Sequence, residues 1–379
     1  MNTNHILPVY VTAAAALSRF GPAWRGLLQQ IRASTAPLPA ARQLQASHGA
    51  VPAAEVPPLA PHIDVEPRAR KLMSYPARLA AAALGQLLQA TGWTPQQRED
   101  CGFYLGVGAS GAQMAEIDAM LAASIVDHEF DLARFGQHGL AACNPLFAFQ
   151  LMNNFTLCHG AILHGVGGAN SALFSRGIGT VDALEEAHWL LACGSAERAI
   201  AGGADSALHP ATWSQLQRDG LAAQGLLPGE GVGLLALCNR LPQTDASAPE
   251  AASALALLAH CESHCAKAWQ AAPDLLAQRL AALEFDALVL APWGVPARKA
   301  LRLGLQAFLA SRAGLSAPAV LDISPALGDA LAASPALAWC VALDWLAQAA
   351  AAPLSPRSVL VLSAGTDGGL GLVLFRSVP

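Results

Sequence analysis

Residues 171–206 constrain the fold more than any other stretch of the chain. "SALFSRGIGT" leaves a short strand through a sharp turn and enters a helix, in which Val181, Leu184, Ala187, His188 and Leu191 recur on one face before Gly194 ends it. "AERAIAGGADSAL" then reads as a buried strand. Strand, helix and strand in that order predict a parallel βαβ unit, with the turn at the helix N-terminus. Arg176 and Gly177 occupy that turn.

The same grammar recurs along the chain. "ILPVYVTAAAAL" predicts a first strand, "RFGPAWRGLLQQIRAS" a helix, and the Pro-rich "APLPAARQLQASHGAVPAAEVPPLAPH" a loop. "SYPARLAAAALGQLLQATGW" predicts an Ala-faced helix, "CGFYLGVGASG" a strand running into a Gly-rich turn, and "AQMAEIDAMLAAS" the helix after it. "LLPGEGVGLLALCN" suggests a Gly-broken hairpin. The polar, aperiodic residues 241–253 then divide the chain into residues 1–245 and residues 246–379. In the second part, "FDALVLAPWG" is a strand, "PARKALRLGLQAFLA" and "PALAWCVALDWLAQAAA" are helices, and "SVLVLSAGTDGGLGLVLF" is a closing hairpin. Two similar α/β halves are expected.

Composition narrows the function classes. Charged residues make up 13% of the 379, against the usual share of about 25%. So much apolar surface predicts an oligomer, with a partner covering part of it. A net charge of −5 and only Lys71, Lys267 and Lys299 among the lysines argue against nucleic-acid binding. The 8 cysteines lack a disulfide-scaffold rhythm, which suits reduced thiols in a cytoplasmic protein. The apolar N-terminus lacks a basic leader and is too short for a membrane span.

The ordered series "LGVGASG", "ACNPLFAFQLMNNFTLCHGAI", "AERAIAGGADSAL", "PGEGVG" and the terminal hairpin resembles the β-ketoacyl-acyl-carrier-protein synthases, over nearly the whole chain. The resemblance implies a thiolase-like α/β fold, with two βαβ-rich halves in a five-layer αβαβα arrangement. In active members a Cys on the strand-to-helix turn carries the acyl chain; two His in the second half and a nearby Lys support malonyl decarboxylation. Counting back from Ala201 puts Gly177 at the Cys position. "LVLAPWGVP" puts Pro292, or Trp293 after a shift of one, at the first His; "ISPALGDALAAS" puts Asp329 at the second and Ser324 at the Lys. The last histidine is His264, so no shift within the second half restores an imidazole.

The resemblance therefore points to a non-catalytic, chain-length-factor-like subunit without cofactor or metal. Such a subunit pairs with a catalytic ketosynthase, meets acyl carrier protein through that complex, and shapes the acyl or polyene tunnel. Type II polyketide, aryl-polyene and fatty-acid-like synthesis are the matching pathways. Ala109, Ala112, Glu116, Leu146 and Phe147 align with the tunnel positions. A divergent acyltransferase or condensing enzyme with a relocated nucleophile, Cys158 first, is the alternative.

Other motifs have plainer readings. Cys158 and His159 are adjacent and point apart on either a strand or a helix; Cys143 and Cys193 read as packing residues. "HCESHC", residues 260–265, gathers four potential metal ligands, and a strand would scatter them. Arg68, Arg70 and Lys71 form the densest basic patch, a solvated face or a dock for an acidic carrier. Trp189, Trp339 and Trp345 sit at helical positions and are expected in the core or an interface.

Overall fold

The computed structural model describes residues 6–109, 111–174, 177–241, 254–265, 273–312, 317–349, 357–365 and 367–378. Ten strands form the main sheet: β1 (Tyr10–Leu17), β2 (Gly102–Val107), β3 (Asn170–Leu173), β4 (Arg198–Ser206), β5 (Glu230–Cys238), β6 (Ala256–Cys265), β7 (Ala287–Pro292), β8 (Ala319–Asp322), β9 (Ser358–Ala364) and β10 (Gly369–Arg376). Their spatial order is β8-β7-β9-β10-β6-β1-β5-β4-β2-β3. The first five strands lie in the order β3-β2-β4-β5-β1, and the last five repeat it as β8-β7-β9-β10-β6. Within each set the three strands nearest the outer edge are parallel and the others antiparallel. The sets meet through β1 and β6, where Tyr10 faces Leu257 and Val11 faces Ala256.

The principal helices are α1 (Tyr75–Thr91), α2 (Met114–Ala122), α3 (Phe155–His164), α4 (Gly179–Ala192), α5 (Pro210–Arg218), α6 (Pro273–Ala281), α7 (Gly294–Ser311) and α8 (Ala333–Ala349). α1 and α3 cover one face of the first strand set, α6 and α7 cover one face of the second, and α4 and α8 fill the space between. This is a thiolase-like five-layer fold. Layer position explains the sequence patterns. The middle helix α8 is buried on every side from Ala333 to Leu343, so it is apolar all round instead of striped. α1 starts where Ser74 Oγ accepts the Ala77 amide and Pro76 presets the first turn, and it ends before Gly92 at φ 63°.

Two local expectations change, and one left open is settled. "LLPGEGVGLLALCN" is no hairpin: Glu230–Cys238 is one fully buried strand between β4 and β1. Its glycines serve close packing, since a Cβ on Gly233 would lie 2.5 Å from the Ala336 backbone. In "RFGPAWRGLLQQIRAS" only Leu27–Ala33 is helical, because Gly26 at φ 79° interrupts the chain just before it. "TLCHGAI" belongs to helix α3. The expected division between residues 245 and 246, like Arg176, lies outside the described residues.

Candidate functional site

The positions expected to have lost their catalytic groups converge where strands of both sets end. Gly177 lies between β3 and α4 at φ 90°, a left-handed conformation that only glycine adopts without strain. A Cβ there would lie 3.5 Å from Trp293 Cβ and 3.9 Å from Gly365 Cα, so the facing side chain is an indole. Trp293 follows Pro292 at the end of β7, and its amide donates to the Ala364 carbonyl at 2.7 Å. Ser324 Oγ lies 3.5 Å from the Pro292 carbonyl. Asp329 Oδ1 accepts the Gly294 amide at 3.2 Å, at the start of α7.

Asp329 is completely buried, and burial pushes its carboxyl up to about 6 even though Arg298 favours the charged form. Arg298 reaches Asp329 Oδ2 at 3.5 Å and Asp322 Oδ2 at 3.7 Å, and Asp322 Oδ1 accepts the Ser324 amide at 3.0 Å. These residues hold loops together. Among Gly177, Pro292, Trp293, Ser324 and Asp329 there is no thiol and no imidazole. A carboxylate at this point would repel that of a malonyl group.

Four other thiols lie in different settings. Cys101 and Cys340 are buried and their thiols are pushed up to about 12. Cys158 borders an open groove of about 570 Å³ along α3, burial raises its thiol, and His164 in the same groove already contacts the Ala81 carbonyl at 2.8 Å. The ring of its neighbour His159 packs tilted at 49° against Phe155, centroids 5.2 Å apart. Cys193 is exposed and lowered by its hydrogen bond with Ser195, but it ends a 14-residue helix that starts at Gly179. That length separates it from Gly177 by about 20 Å.

Beside Trp293 lies a cavity of about 290 Å³, mostly apolar, walled by Ala109, Ala112, Ile117, Leu151, Phe174 and Leu331. Asp205, His209 and Asp219 also line it. Asp205 accepts the Ser206 and Ala332 amides at 2.8 and 3.1 Å, and burial pushes its carboxyl up to about 7. His209 Nε2 bonds the Ala112 carbonyl at 2.7 Å, while Nδ1 accepts the Ala211 amide at 3.3 Å. Its ring is thus neutral and tethers the cavity wall to the start of α5. Of the expected tunnel residues, Ala109 and Ala112 line this cavity. Glu116 and Leu146 are outside it, and Glu116 Oε2 accepts the Asn144 amide at 2.8 Å. Phe147 is buried, also away from the cavity. Sequence reasoning missed Asp205 and His209; the His-Pro pair ahead of α5 was a usable helix-start signal.

The remaining motifs resolve simply. In β6, His260 and His264 reach Glu262 Oε2 at 3.5 and 3.3 Å, and Arg279 reaches Oε1 at 3.3 Å. Among the described residues no three His, Cys, Asp or Glu side chains are arranged to hold a metal. Trp339 is buried, Trp345 lies under Arg357, and Trp189 is 68% exposed, contrary to a core position. No described helix is long and apolar enough to cross a membrane.

Residues 23–242 match the family model "Beta-ketoacyl synthase, N-terminal domain". No curated protein matches the sequence. Among solved structures, the AntDE:AntF complex, a type II PKS acyl-carrier protein with its ketosynthase bound to the hexaketide, is similar at 14% identity and TM-score 0.74. The ishigamide ketosynthase/chain length factor and a β-ketoacyl synthase from Burkholderia phymatum STM815 are each similar at 17% identity and TM-score 0.73. In all three, 98% of this chain and 100% of the other are covered, which is a likeness of fold. With the family model matching more than half of its length, the chain belongs to the β-ketoacyl synthase family.

Proposed function

We propose that this chain is a non-catalytic, chain-length-factor-like subunit that pairs with a catalytic ketosynthase and shapes the tunnel for a growing acyl or polyene chain. The observation that carries this reading is Gly177 facing Trp293, where the family's chemistry needs a thiol facing an imidazole. Asp329 and Ser324, committed to holding loops, support it. Polyketide, aryl-polyene or fatty-acid-like synthesis in the cytoplasm is the setting.

Surface chemistry supports a partner. Of 18 exposed large apolar side chains among the described residues, 12 fall between Leu121 and Phe174, the stretch of chain that leads into and just past the outermost strand β3. Such a concentration favours burial against another subunit. Arg68 and Lys71 suit an acidic carrier protein. Gln150 links their segment to the cavity wall, donating to the Lys71 carbonyl at 3.0 Å and accepting the Gln113 amide at 3.1 Å.

Co-expression with a catalytic ketosynthase that has its Cys and both His tests the proposal. A stable heterodimer is expected, whose product length changes when Ala109 or Ala112 is altered in size. Condensation of malonyl units by the isolated chain, or a thioester on Cys158 seen by intact-protein mass spectrometry, overturns it.

A further inference from the structure

Trp293 touches the elbow on one side and the cavity on the other. Its Cβ and Cγ lie 3.5 and 3.6 Å from where a side chain on Gly177 would begin, and the cavity wall runs through Trp293 and not through Gly177. The residue is fixed in place. It is 3% exposed, packs with Leu208, Trp213 and Leu331, precedes the first turn of α7, and is tied through its amide to Ala364.

The lining also selects a ligand class. It is mainly apolar, its ionisable groups are the carboxyls of Asp205 and Asp219 and the neutral ring of His209, and it includes no Lys or Arg. An uncharged chain suits it, and a carboxylate end does not. Its 290 Å³ is at the small end of the about 300–1,000 Å³ usual for small-molecule sites, so chain length is limiting.

We infer that Trp293 is the floor of this cavity: its indole ends the apolar space at the elbow and fixes the longest linear, uncharged acyl chain that the cavity accepts. The inference deepens the proposed tunnel-shaping role and takes its biological meaning from it, while its physical content concerns this chain alone.

The test titrates the full-length protein with N-acetylcysteamine thioesters of saturated acids of increasing length, by calorimetry. Affinity is expected to rise about fourfold per added methylene and then to stop rising at a break. Trp293→Ala moves the break to longer chains, Trp293→Phe moves it less, and Ala112→Leu lowers affinity for every length. Circular dichroism checks folding, and Trp293→Phe carries the test should the alanine variant not fold. An unchanged break in a folded variant, or no binding of any thioester by the native chain, overturns the inference.

A second arm separates this inference from the proposed function. With a co-expressed catalytic ketosynthase, Trp293→Ala should lengthen the product by at least one extension unit. A shifted break without any ketosynthase pairing leaves the floor standing and removes the proposed function; pairing with an unmoved break does the reverse.

Discussion

Asp344, deep in α8, accepts the amides of Gly26 and Leu28, both at 3.0 Å, and so caps a helix that belongs to a distant part of the chain. The carboxylate is 3% exposed and takes a further hydrogen bond from Gln348 at 3.2 Å. Asp344→Ala leaves two amides without their acceptor, at a cost of about 1–3 kcal/mol in unfolding free energy. Asn at the same position should recover part of that loss. Urea unfolding of the three proteins checks the order.

Gly177 gives a sharper expectation. Any other residue there must hold φ near 90°, so Gly177→Ala should lose about 1–3 kcal/mol of stability. Gly177→Cys has room for its Cβ but meets Trp293 and not an imidazole. Acyl transfer and condensation should both stay at background in that variant. Radiolabelled malonyl and acyl thioesters provide the assay, and measurable condensation by Gly177→Cys contradicts the loss of catalysis at this turn.

The pH dependence has a defined sign. Asp205 ordinarily titrates at 3.8, and burial raises it to about 7 in the folded chain. The folded state therefore holds that proton more tightly, and this contribution to stability is full below 3.8 and lost as pH rises through about 7. Relative to Asp205→Asn, which cannot ionise, the native chain should lose melting temperature between pH 4 and pH 8. Melting curves of both proteins across that range decide it; a constant difference contradicts a raised carboxyl.

The exposed apolar side chains between Leu121 and Phe174 can be tested apart from the interior. Ile162 is 78% exposed and Leu140 is 54% exposed, so Ile162→Asp and Leu140→Asp should change the stability of the isolated chain by less than about 1 kcal/mol. The same substitutions should abolish co-purification with the catalytic ketosynthase. Retained pairing in both variants places the interface elsewhere.

Much of the architecture was legible because its signals are local. The periodic face of α4, the Gly-Gly strand β4 and the closing hairpin β9–β10 each occur within one short window, and all three form. The hairpin expected at "PGEGVG" failed because Gly231 and Gly233 answer to the Leu17 and Ala336 backbones, neighbours far away in the chain. The site divides in the same way. The proposed loss of catalytic groups at Gly177 and Asp329 is read by counting in the sequence, whereas the cavity around Asp205 and His209 depends on which loops the folded chain brings together. Trp189 illustrates the limit: its helical position left core and interface both open, and the single chain leaves it exposed.

β3 lies at the end of the sheet, paired with β2 on one side only, and its four residues are half-buried or exposed. An edge of that kind offers free backbone donors and acceptors to any extended peptide it meets. Under the proposed pairing, a cell producing this chain in excess over its companion would thus accumulate a template for unintended strand addition. Matched synthesis of the two polypeptides becomes a matter of keeping the chain in solution, quite apart from how much product it helps to make.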